Sequence, residues 1–509
     1  MSRTSITIKN SQVALSYFII NLLLNFISRK YFLEYLGEDV LGLNTTASNL
    51  LSFLNIAELG IGSAVACTLY KPLNDTNIGE LNEIISLQGW LYKKIAYFVG
   101  FGGILLMLFF PLIFKKITLP MWYAYGSFSV LLFSSLLSYC VNYKSILLSA
   151  DQKQYKIVIG FQSFNLLRTI LQIFAVVFLA NGYFWWLLIY LVSSILASIN
   201  LERIVSKEYP NLKIDTSKGS YLSKRYPEIV KKIKQVFFHK IGSFVLSQTS
   251  PLIIYAYISL KMVALYGNYM ILIQGVRLAM EAVFNSQTAS IGNLIVENNQ
   301  KHTQQIFDEL FSARYIFNVT LCFTLYVFSP AFISLWIGSE YVLNDIYLIL
   351  IILTLYINLN RGVVNSFIHA KGLFGDIWAP VLEGFLNLSL SILLGAFWGL
   401  EGILGGVIIS LLFVVSIWKP YYLFNKGFGY SVFIYWILYL KHIVTTIPIV
   451  LLYLYLIDCL EIRLTQDILH FLLYLFSISV SFFVILLLVQ ACLIPSMRSF
   501  VNRLLKYIR

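Results

Sequence analysis

Long apolar segments separated by short polar turns run through almost the whole chain. A helix needs about 20 consecutive apolar residues to span a bilayer, and runs such as 444–457 and 471–494 are parts of such segments. The pattern predicts an all-α polytopic membrane protein with about 14 transmembrane helices. The predicted spans are 11–33, 40–70, 88–114, 120–148, 157–180, 183–203, 236–260, 264–295, 312–336, 342–369, 376–398, 400–424, 431–457 and 468–494.

Composition agrees with this class. Of the 509 residues, 59% are hydrophobic and only 12% are charged, whereas a soluble domain has about 25% charged residues. The net charge of +13 would suggest a nucleic-acid partner in a soluble protein. In a membrane protein, basic residues retained in cytoplasmic loops account for it, so no nucleic-acid partner is predicted.

The distribution of basic residues predicts the orientation. The only sizeable hydrophilic segment, 204–235, is rich in lysine and arginine, and such loops stay on the cytoplasmic side. An even number of spans then places both termini in the cytoplasm. The segment is interpreted as a topology determinant and linker; the alternative is an amphipathic helix, from Tyr226 to Lys240, that lies on anionic lipid.

The order of landmarks repeats along the chain. Leu41-Gly42 opens the long second span and Tyr266-Gly267 opens the long eighth, and Gly182 and Gly402 mark corresponding turns. Repeats with an even number of spans enter the membrane from the same side, which predicts two parallel six-helix bundles. The predicted organisation is an N-terminal bundle 1–203, a basic cytoplasmic linker 204–235, a C-terminal bundle 236–424, and an extra helix pair with a cytoplasmic tail, 425–509.

Polar residues recur on one face of two of these long spans. In the second span, Gly60 and Gly62 are expected mid-helix, where glycine permits close packing. The two polar faces are formed by Asn44, Ser48, Ser52, Asn55 and Glu58, and by Gln274, Arg277, Glu281, Asn285 and Thr288. A polar face should not contact lipid. Two such faces meeting between the repeats would enclose a water-filled cavity, with Ser52, Asn55 and Gln274 on its wall.

Several charged residues fall inside predicted spans: Arg29, Glu58, Arg168, Arg277, Glu281, Arg361 and Glu383. Each charge at bilayer depth costs about 2.5–3.5 kcal/mol, so protein partners or a wet cavity are required. Arg168 has no acidic neighbour in its span, which favours a functional role. Glu58 ends a polar face and is the best candidate for a protonatable or cation-binding carboxylate.

The other embedded charges have structural alternatives. Arg277 and Glu281 are four residues apart and can neutralise each other. Arg361 and Glu383 can form a bridge between neighbouring helices. Arg29 can extend towards the outer surface.

Motifs of common catalytic sites are absent from the sequence. It contains no G-x-x-x-x-G-K-[ST] loop, no H-E-x-x-H and no G-x-S-x-G. Its cysteines are not spaced as in zinc sites. We therefore expect no enzyme activity, no cofactor and no metal site built from such motifs.

Two segments carry a resemblance to a known family. RKYFLEYLGEDVLGL (29–43) and LLSFLNIAELGIGSAVACTLYKPL (50–73) resemble the start of polysaccharide-biosynthesis flippases of the O-antigen and capsule type. These belong to the multidrug/oligosaccharidyl-lipid/polysaccharide (MOP) exporter superfamily. The resemblance implies a flippase that moves an undecaprenyl-pyrophosphate-linked oligosaccharide across the bacterial cytoplasmic membrane by alternating access, driven by an ion gradient. Membrane lipid and other polysaccharide-assembly membrane proteins are the implied partners.

The resemblance also implies roles for the embedded charges. Arginines in the cavity would bind the pyrophosphate, since a guanidinium can donate two charge-assisted hydrogen bonds; the candidates are Arg29, Arg168, Arg277 and Arg361. A coupling cation, H⁺ or Na⁺, would bind a carboxylate; the candidates are Glu58, Glu281 and Glu383. The alternatives are a cation-coupled multidrug exporter of the same architecture and a glycan-assembly membrane enzyme such as a polymerase.

Overall fold

A computed structural model describes residues 3–58, 60–115, 119–285, 291, 299–373, 375–376, 378–459 and 467–508. Within these ranges the regular structure is helical and no strand occurs. The chain divides into two compact units, Met1–Ala264 and Leu265–Arg509. The predicted fold class, an all-α polytopic membrane protein, is confirmed.

In its described residues, the first unit contains seven long helices and the start of an eighth. Helix α1 is kinked at Gly37, where φ is 82° and ψ is 169°. The long helices are α1 (Arg3–Leu54), α2 (Ile61–Asn74), α3 (Ile78–Leu108), α4 (Met121–Cys140), α5 (Ser163–Phe178), α6 (Gly182–Glu208) and α7 (Pro227–Tyr257). A single turn, Asn55–Glu58, links α1 towards α2, and short helices such as Ser145–Ala150 and Gly219–Arg225 connect the others.

The second unit contains most of α8 and the helices after it. They are α8 (Leu260–Asn285), α9 (Gln300–Ile337), α10 (Asp345–Ala370), α11 (Trp378–Leu411), α12 (Phe433–Cys459), α13 (Ile468–Leu493) and α14 (Pro495–Ile508). A π-helical stretch, Leu412–Trp418, continues α11. Part of the core of this unit is aromatic, with Phe307, Phe311, Phe367 and Phe424 fully or almost fully buried in one cluster.

Apolar length makes this a multi-pass membrane protein. In the described residues eight helices are long and apolar enough to cross a membrane, or nine if α4 and the helix after it, bent by 49°, form one broken span. A helix covers at least part of each of the fourteen predicted segments. The count of fourteen spans itself stays a prediction.

Polar caps explain where several of these helices begin. Side-chain oxygens of Asn77, Asn299, Asn344 and Asp467 accept hydrogen bonds from backbone N–H groups two or three residues later. Each bond satisfies an N–H group that has no partner within the helix. The caps stand at the starts of α3, α9, α10 and α13. In α10 and α13 the apolar run begins close to the cap, whereas α3 and α9 each begin with a more polar segment.

The two shortest predicted turns are present. Asn181 adopts a left-handed conformation (φ 57°) between α5 and α6, and Gly399 (φ 55°) turns α11 back on itself. After this turn the two halves of α11 touch through glycines. A Cβ atom on Gly402 would lie 2.0 Å from the carbonyl oxygen of Leu394, and one on Gly406 would lie 2.5 Å from the amide nitrogen of Ser391.

Helix α7 starts earlier than predicted. The sequence placed this span at 236–260, whereas the helix runs from Pro227 to Tyr257. Proline suits the first helical position because it has no N–H to satisfy. The basic residues before 236 therefore extend a long helix, and the irregular part of the linker is shorter than expected. In the structure α7 belongs to the first compact unit.

The glycine contact within α11 gives a direct prediction. We expect Gly406→Ala to lower the thermal stability of the purified protein, because the added methyl group would overlap the backbone of Ser391. Gly405→Ala is the matched control, since a Cβ there meets nothing within 4 Å and alanine favours helix by about 1 kcal/mol. Equal melting temperatures for the two variants would contradict the proposed packing.

Candidate functional site

A break in the second predicted span positions Glu58. The sequence predicted one continuous helix over 40–70, with Gly60 in its middle, but α1 ends at Leu54 and α2 begins at Ile61. Gly60 has φ 96°, which favours glycine. A Cβ on Gly60 would lie 2.9 Å from the carbonyl oxygen of Ile233 in α7. The predicted close packing at Gly60 is therefore present, but the prediction of an unbroken helix is wrong, since a single turn at Asn55–Glu58 and the left-handed Gly60 separate α1 from α2.

Glu58 lines a polar cavity of about 350 Å³ within the first unit. The Tyr92 hydroxyl donates a hydrogen bond to Glu58 Oε1 at 3.2 Å. The other polar lining residues are Ser138, Asn142, Tyr143 and Ser145.

Oxygen atoms predominate among the polar groups of this cavity. Besides the Glu58 carboxylate, Asn142 Oδ1 is buried and has no hydrogen-bond partner among the described residues. A carboxylate with neutral oxygens around it suits a proton or a hard cation such as Na⁺. The chemistry of the Glu58 cavity therefore fits the predicted ion site.

The other residues of the first polar face have separate surroundings. Asn44 accepts a hydrogen bond from the Tyr183 hydroxyl at 2.8 Å. Asn55 Nδ2 donates to Ser135 Oγ at 3.3 Å, and Asn55 Oδ1 is buried without a hydrogen bond to any described residue. Ser52 donates to the carbonyl oxygen of Ser48 one turn earlier. The cavity wall predicted for Ser52 and Asn55 stays a prediction.

Arg168 lies in α5 and is half-buried. Its guanidinium carbon is 4.3 Å from the centroid of the Tyr190 ring in α6. Its Nε atom is buried and has no hydrogen-bond partner in the part of the chain that the structure describes. The aromatic ring partly compensates the charge.

Arg29 contacts the backbone of another helix. Arg29 Nη2 donates a hydrogen bond to the carbonyl oxygen of Ala264 at 3.2 Å, and the side chain is half-buried. The carbonyl acceptor is supplied by α8. This contact stabilises the guanidinium within the protein. Arg29 therefore does not need to extend towards the outer membrane surface, which was the alternative suggested by the sequence.

Arg361 and Glu383 form the predicted ion pair in the second unit. Arg361 Nη1 in α10 is 3.1 Å from Glu383 Oε1 in α11, and the Glu383 side chain is only 2% exposed. The bond joins neighbouring helices and neutralises both charges. The bridge between neighbouring helices that the sequence suggested for these two residues is therefore present. The roles of Arg361 in substrate binding and of Glu383 in ion binding stay predictions.

The second polar face is described only in part. Gln274 and Arg277 in α8 are exposed. The side chains of Glu281 and Asn285, and all of Thr288, lie outside the described residues. The predicted neutralisation of Arg277 by Glu281 and the ion-site role of Glu281 stay predictions.

Arg314 is at the centre of a buried polar group that was not predicted from the sequence. This residue of α9 is 8% exposed, and its guanidinium carbon is 4.8 Å from the centroid of the Phe284 ring. A Cβ on Gly362 would lie 2.1 Å from Arg314 Nη2, so glycine makes room for the guanidinium. One turn along α9, buried Asn318 donates to buried Asn360 at 2.9 Å.

A second missed group surrounds His442 in α12. Its Nδ1 is 2.8 Å from Gln490 Oε1 and its Nε2 is 2.9 Å from Ser312 Oγ. Its ring stacks on Tyr315, with centroids 4.6 Å apart. The signal was available, since histidine and glutamine are conspicuous inside the apolar segments 431–457 and 468–494.

The Arg361–Glu383 pair predicts a stability pattern. We expect Arg361→Met to destabilise the protein by about 3–5 kcal/mol, because it leaves the Glu383 carboxylate buried without a partner. The double variant Arg361→Met/Glu383→Met should recover most of the loss. Thermal unfolding in detergent measures both, and an equally unstable double variant would contradict the assignment.

Comparisons with known proteins give the fold. No family model and no curated protein sequence matches the chain. Among solved structures the chain is similar to "Lipid II flippase MurJ, inward closed conformation", with a TM-score of 0.65 and 14% identity over 93% of this chain and 97% of that chain.

It is also similar to an inward-facing multidrug resistance MATE family transporter of the MOP superfamily, with a TM-score of 0.56 and 11% identity over 80% of this chain and 94% of that chain. The MATE multidrug transporter DinF-BH matches with a TM-score of 0.51 and 14% identity, over 84% and 98% of the two chains. The chain therefore has the fold of MOP-superfamily transporters.

Proposed function

We propose that the protein is a flippase that moves a polyprenyl-pyrophosphate-linked oligosaccharide across the bacterial cytoplasmic membrane by alternating access. The transported unit is an O-antigen, capsule or exopolysaccharide unit, and both termini of the protein lie in the cytoplasm. The protein acts as a transporter and not as an enzyme. The fold supports this class, since one similar structure is named a lipid II flippase.

The main support for this proposal is the environment of the Arg168 guanidinium. Its charge is placed on an aromatic ring, and a buried N–H group has no protein acceptor among the described residues. A membrane protein keeps such a costly group where it binds something. A guanidinium matches pyrophosphate because its donors form charge-assisted hydrogen bonds in a fixed geometry.

Glu58 is the proposed coupling site. Its carboxylate accepts a hydrogen bond from the Tyr92 hydroxyl in a cavity that also contains neutral oxygen atoms. Binding of H⁺ or Na⁺ there neutralises the carboxylate, which changes the free energy of one transport state relative to the other.

The second candidate is a cation-coupled multidrug exporter. Similarity to two multidrug transporters favours it. Such a substrate is often cationic and is better matched by an acidic pocket, whereas Arg168 offers a donor. A glycan-assembly enzyme such as a polymerase is the remaining alternative.

Deletion of the encoding gene tests the function. Loss of a flippase should accumulate single lipid-linked oligosaccharide units on the cytoplasmic side. Loss of a polymerase should leave single units displayed outside, and loss of a drug exporter should leave surface polysaccharide unchanged. Mass spectrometry of the lipid-linked glycans, with an accessibility assay for sidedness, distinguishes these outcomes.

Arg168→Ala should reduce glycan export about tenfold or more without preventing membrane insertion. A hydrogen bond to a charged group contributes about 1.5–3 kcal/mol, and 1.4 kcal/mol corresponds to about tenfold. Surface polysaccharide and the amount of protein in the membrane are the two measurements. Arg203→Ala is the control, because Arg203 in α6 is exposed; normal export by Arg168→Ala would contradict the binding role.

Glu58→Gln should remove the dependence of transport on the cation gradient and slow transport at least about tenfold. Glutamine has a similar shape but cannot take up a proton or neutralise a cation. Transport is measured in vesicles with imposed pH or Na⁺ gradients, and exposed Glu34 in α1 provides the control variant Glu34→Gln. Unchanged gradient dependence in Glu58→Gln would exclude this carboxylate as the coupling site.

A further inference from the structure

A basic pocket lies on the first unit, between α3 and α7. Its volume is about 540 Å³. The lining combines one tryptophan, three lysines and the first turn of α7, and its main residues are Trp90, Lys94, Ser223, Pro227, Lys231 and Lys234. None of the described residues that line it is acidic. It is separate from the Glu58 cavity, and among the described lining residues α3 is the only long helix that contributes side chains to both.

The aromatic wall of this pocket is held in place. A Cβ on Gly219 would lie 2.0 Å from Trp90 Cγ, so the indole packs directly on the backbone of the short helix Gly219–Arg225. Lys94, one turn further along α3, places its Nζ 3.6 Å from the centroid of the Trp90 ring. The tryptophan therefore has a defined position against which a ligand can pack.

The lysines carry charge that no carboxylate neutralises. Among the described residues, Lys94, Lys231 and Lys234 have no carboxylate oxygen within 4.0 Å. Glu83, two turns before Trp90 on α3, is occupied by Arg225 at 2.6 Å and by the Tyr226 hydroxyl.

Two further groups near the pocket do not alter its charge. Burial, together with the hydrogen bond to Glu83, raises the pKa of Tyr226 to about 12, so this hydroxyl stays neutral and keeps donating. Glu228 in the first turn of α7 is exposed and forms no ion pair with these lysines in the described residues. The pocket therefore presents a local excess of positive charge.

The position of the pocket indicates what binds it. Lys94 lies at the beginning of the apolar part of α3, and exposed apolar side chains follow on that helix: Tyr97, Phe98, Phe101, Ile104 and Leu108 are 59–77% exposed. Such a surface faces lipid chains in a membrane protein. Lys231 and Lys234 precede the apolar part of α7. A basic pocket therefore lies at one end of a lipid-facing surface.

We propose that this pocket binds the phosphate headgroup of an anionic phospholipid in the cytoplasmic leaflet, with its acyl chains along the exposed face of α3. The lysines attract the phosphate, and Trp90 packs at the boundary between headgroup and chains, where this residue type is favoured. The bound lipid is a resident partner and not the transported substrate. A soluble anion would use the charge but would leave the adjacent apolar surface without a ligand.

The full-length protein in detergent tests this by native mass spectrometry during titration with phosphatidylglycerol or phosphatidylcholine. A lysine near an anionic lipid contributes roughly fivefold in affinity, so the variant Lys94→Gln/Lys231→Gln/Lys234→Gln should bind phosphatidylglycerol on the order of 100-fold more weakly. Binding of phosphatidylcholine should be unchanged. Thermal unfolding confirms that the variant is folded.

The matched control removes three exposed lysines elsewhere, as Lys71→Gln/Lys301→Gln/Lys426→Gln, and should change phosphatidylglycerol affinity less than about threefold. Equal affinity of the pocket variant and the wild type, or equal losses in both variants, would overturn the assignment. If inorganic phosphate binds the wild type as tightly as phosphatidylglycerol and through the same lysines, the ligand is a soluble anion and the lipid assignment is wrong. These results are independent of transport, so they do not depend on the proposed function.

Discussion

The cost of placing charge in hydrocarbon constrains this chain more than any other interaction. One exposed charge at bilayer depth costs about 2.5–3.5 kcal/mol, a large part of the net stability of a folded domain. The described embedded charges meet this constraint in different ways. Glu383 is neutralised by Arg361, Arg168 lies on the ring of Tyr190, and Glu58 accepts a hydrogen bond from Tyr92. The three residues therefore differ in their remaining ability to bind another group.

This remaining ability to bind substrate or ion relates the fold to the proposed transport. A fully paired group such as Glu383 mainly holds two helices together. Arg168 keeps a buried donor without an acceptor among the described residues, and Glu58 faces a cavity. The first suits an anionic substrate and the second suits a coupling cation. An ion-coupled transporter needs both, because substrate movement is then linked to a second binding event that favours one state over the other.

The length of the apolar runs was enough to predict the helices, because a lipid-exposed segment must satisfy its backbone hydrogen bonds internally, and a helix does so. Sequence also predicted the Arg361–Glu383 pair, since two isolated opposite charges on neighbouring spans require partners. The break at Gly60 was not predictable in this way, because the residues around it are as apolar or small as those of a continuous span, and the contact of Gly60 with α7 joins parts of the chain that are distant in sequence. Arg314 was missed because it falls at the edge of a predicted span, and its aromatic and glycine contacts come from other helices.

Translocation by the purified protein in proteoliposomes tests the proposed flippase function most directly. A fluorescent polyprenyl-pyrophosphate oligosaccharide is placed in both leaflets, and a membrane-impermeant quencher reports how fast the inner pool reaches the outside. We expect translocation that depends on the protein and is accelerated by an imposed H⁺ or Na⁺ gradient. Translocation no faster than in protein-free vesicles, under either gradient and with correctly folded protein, would contradict it.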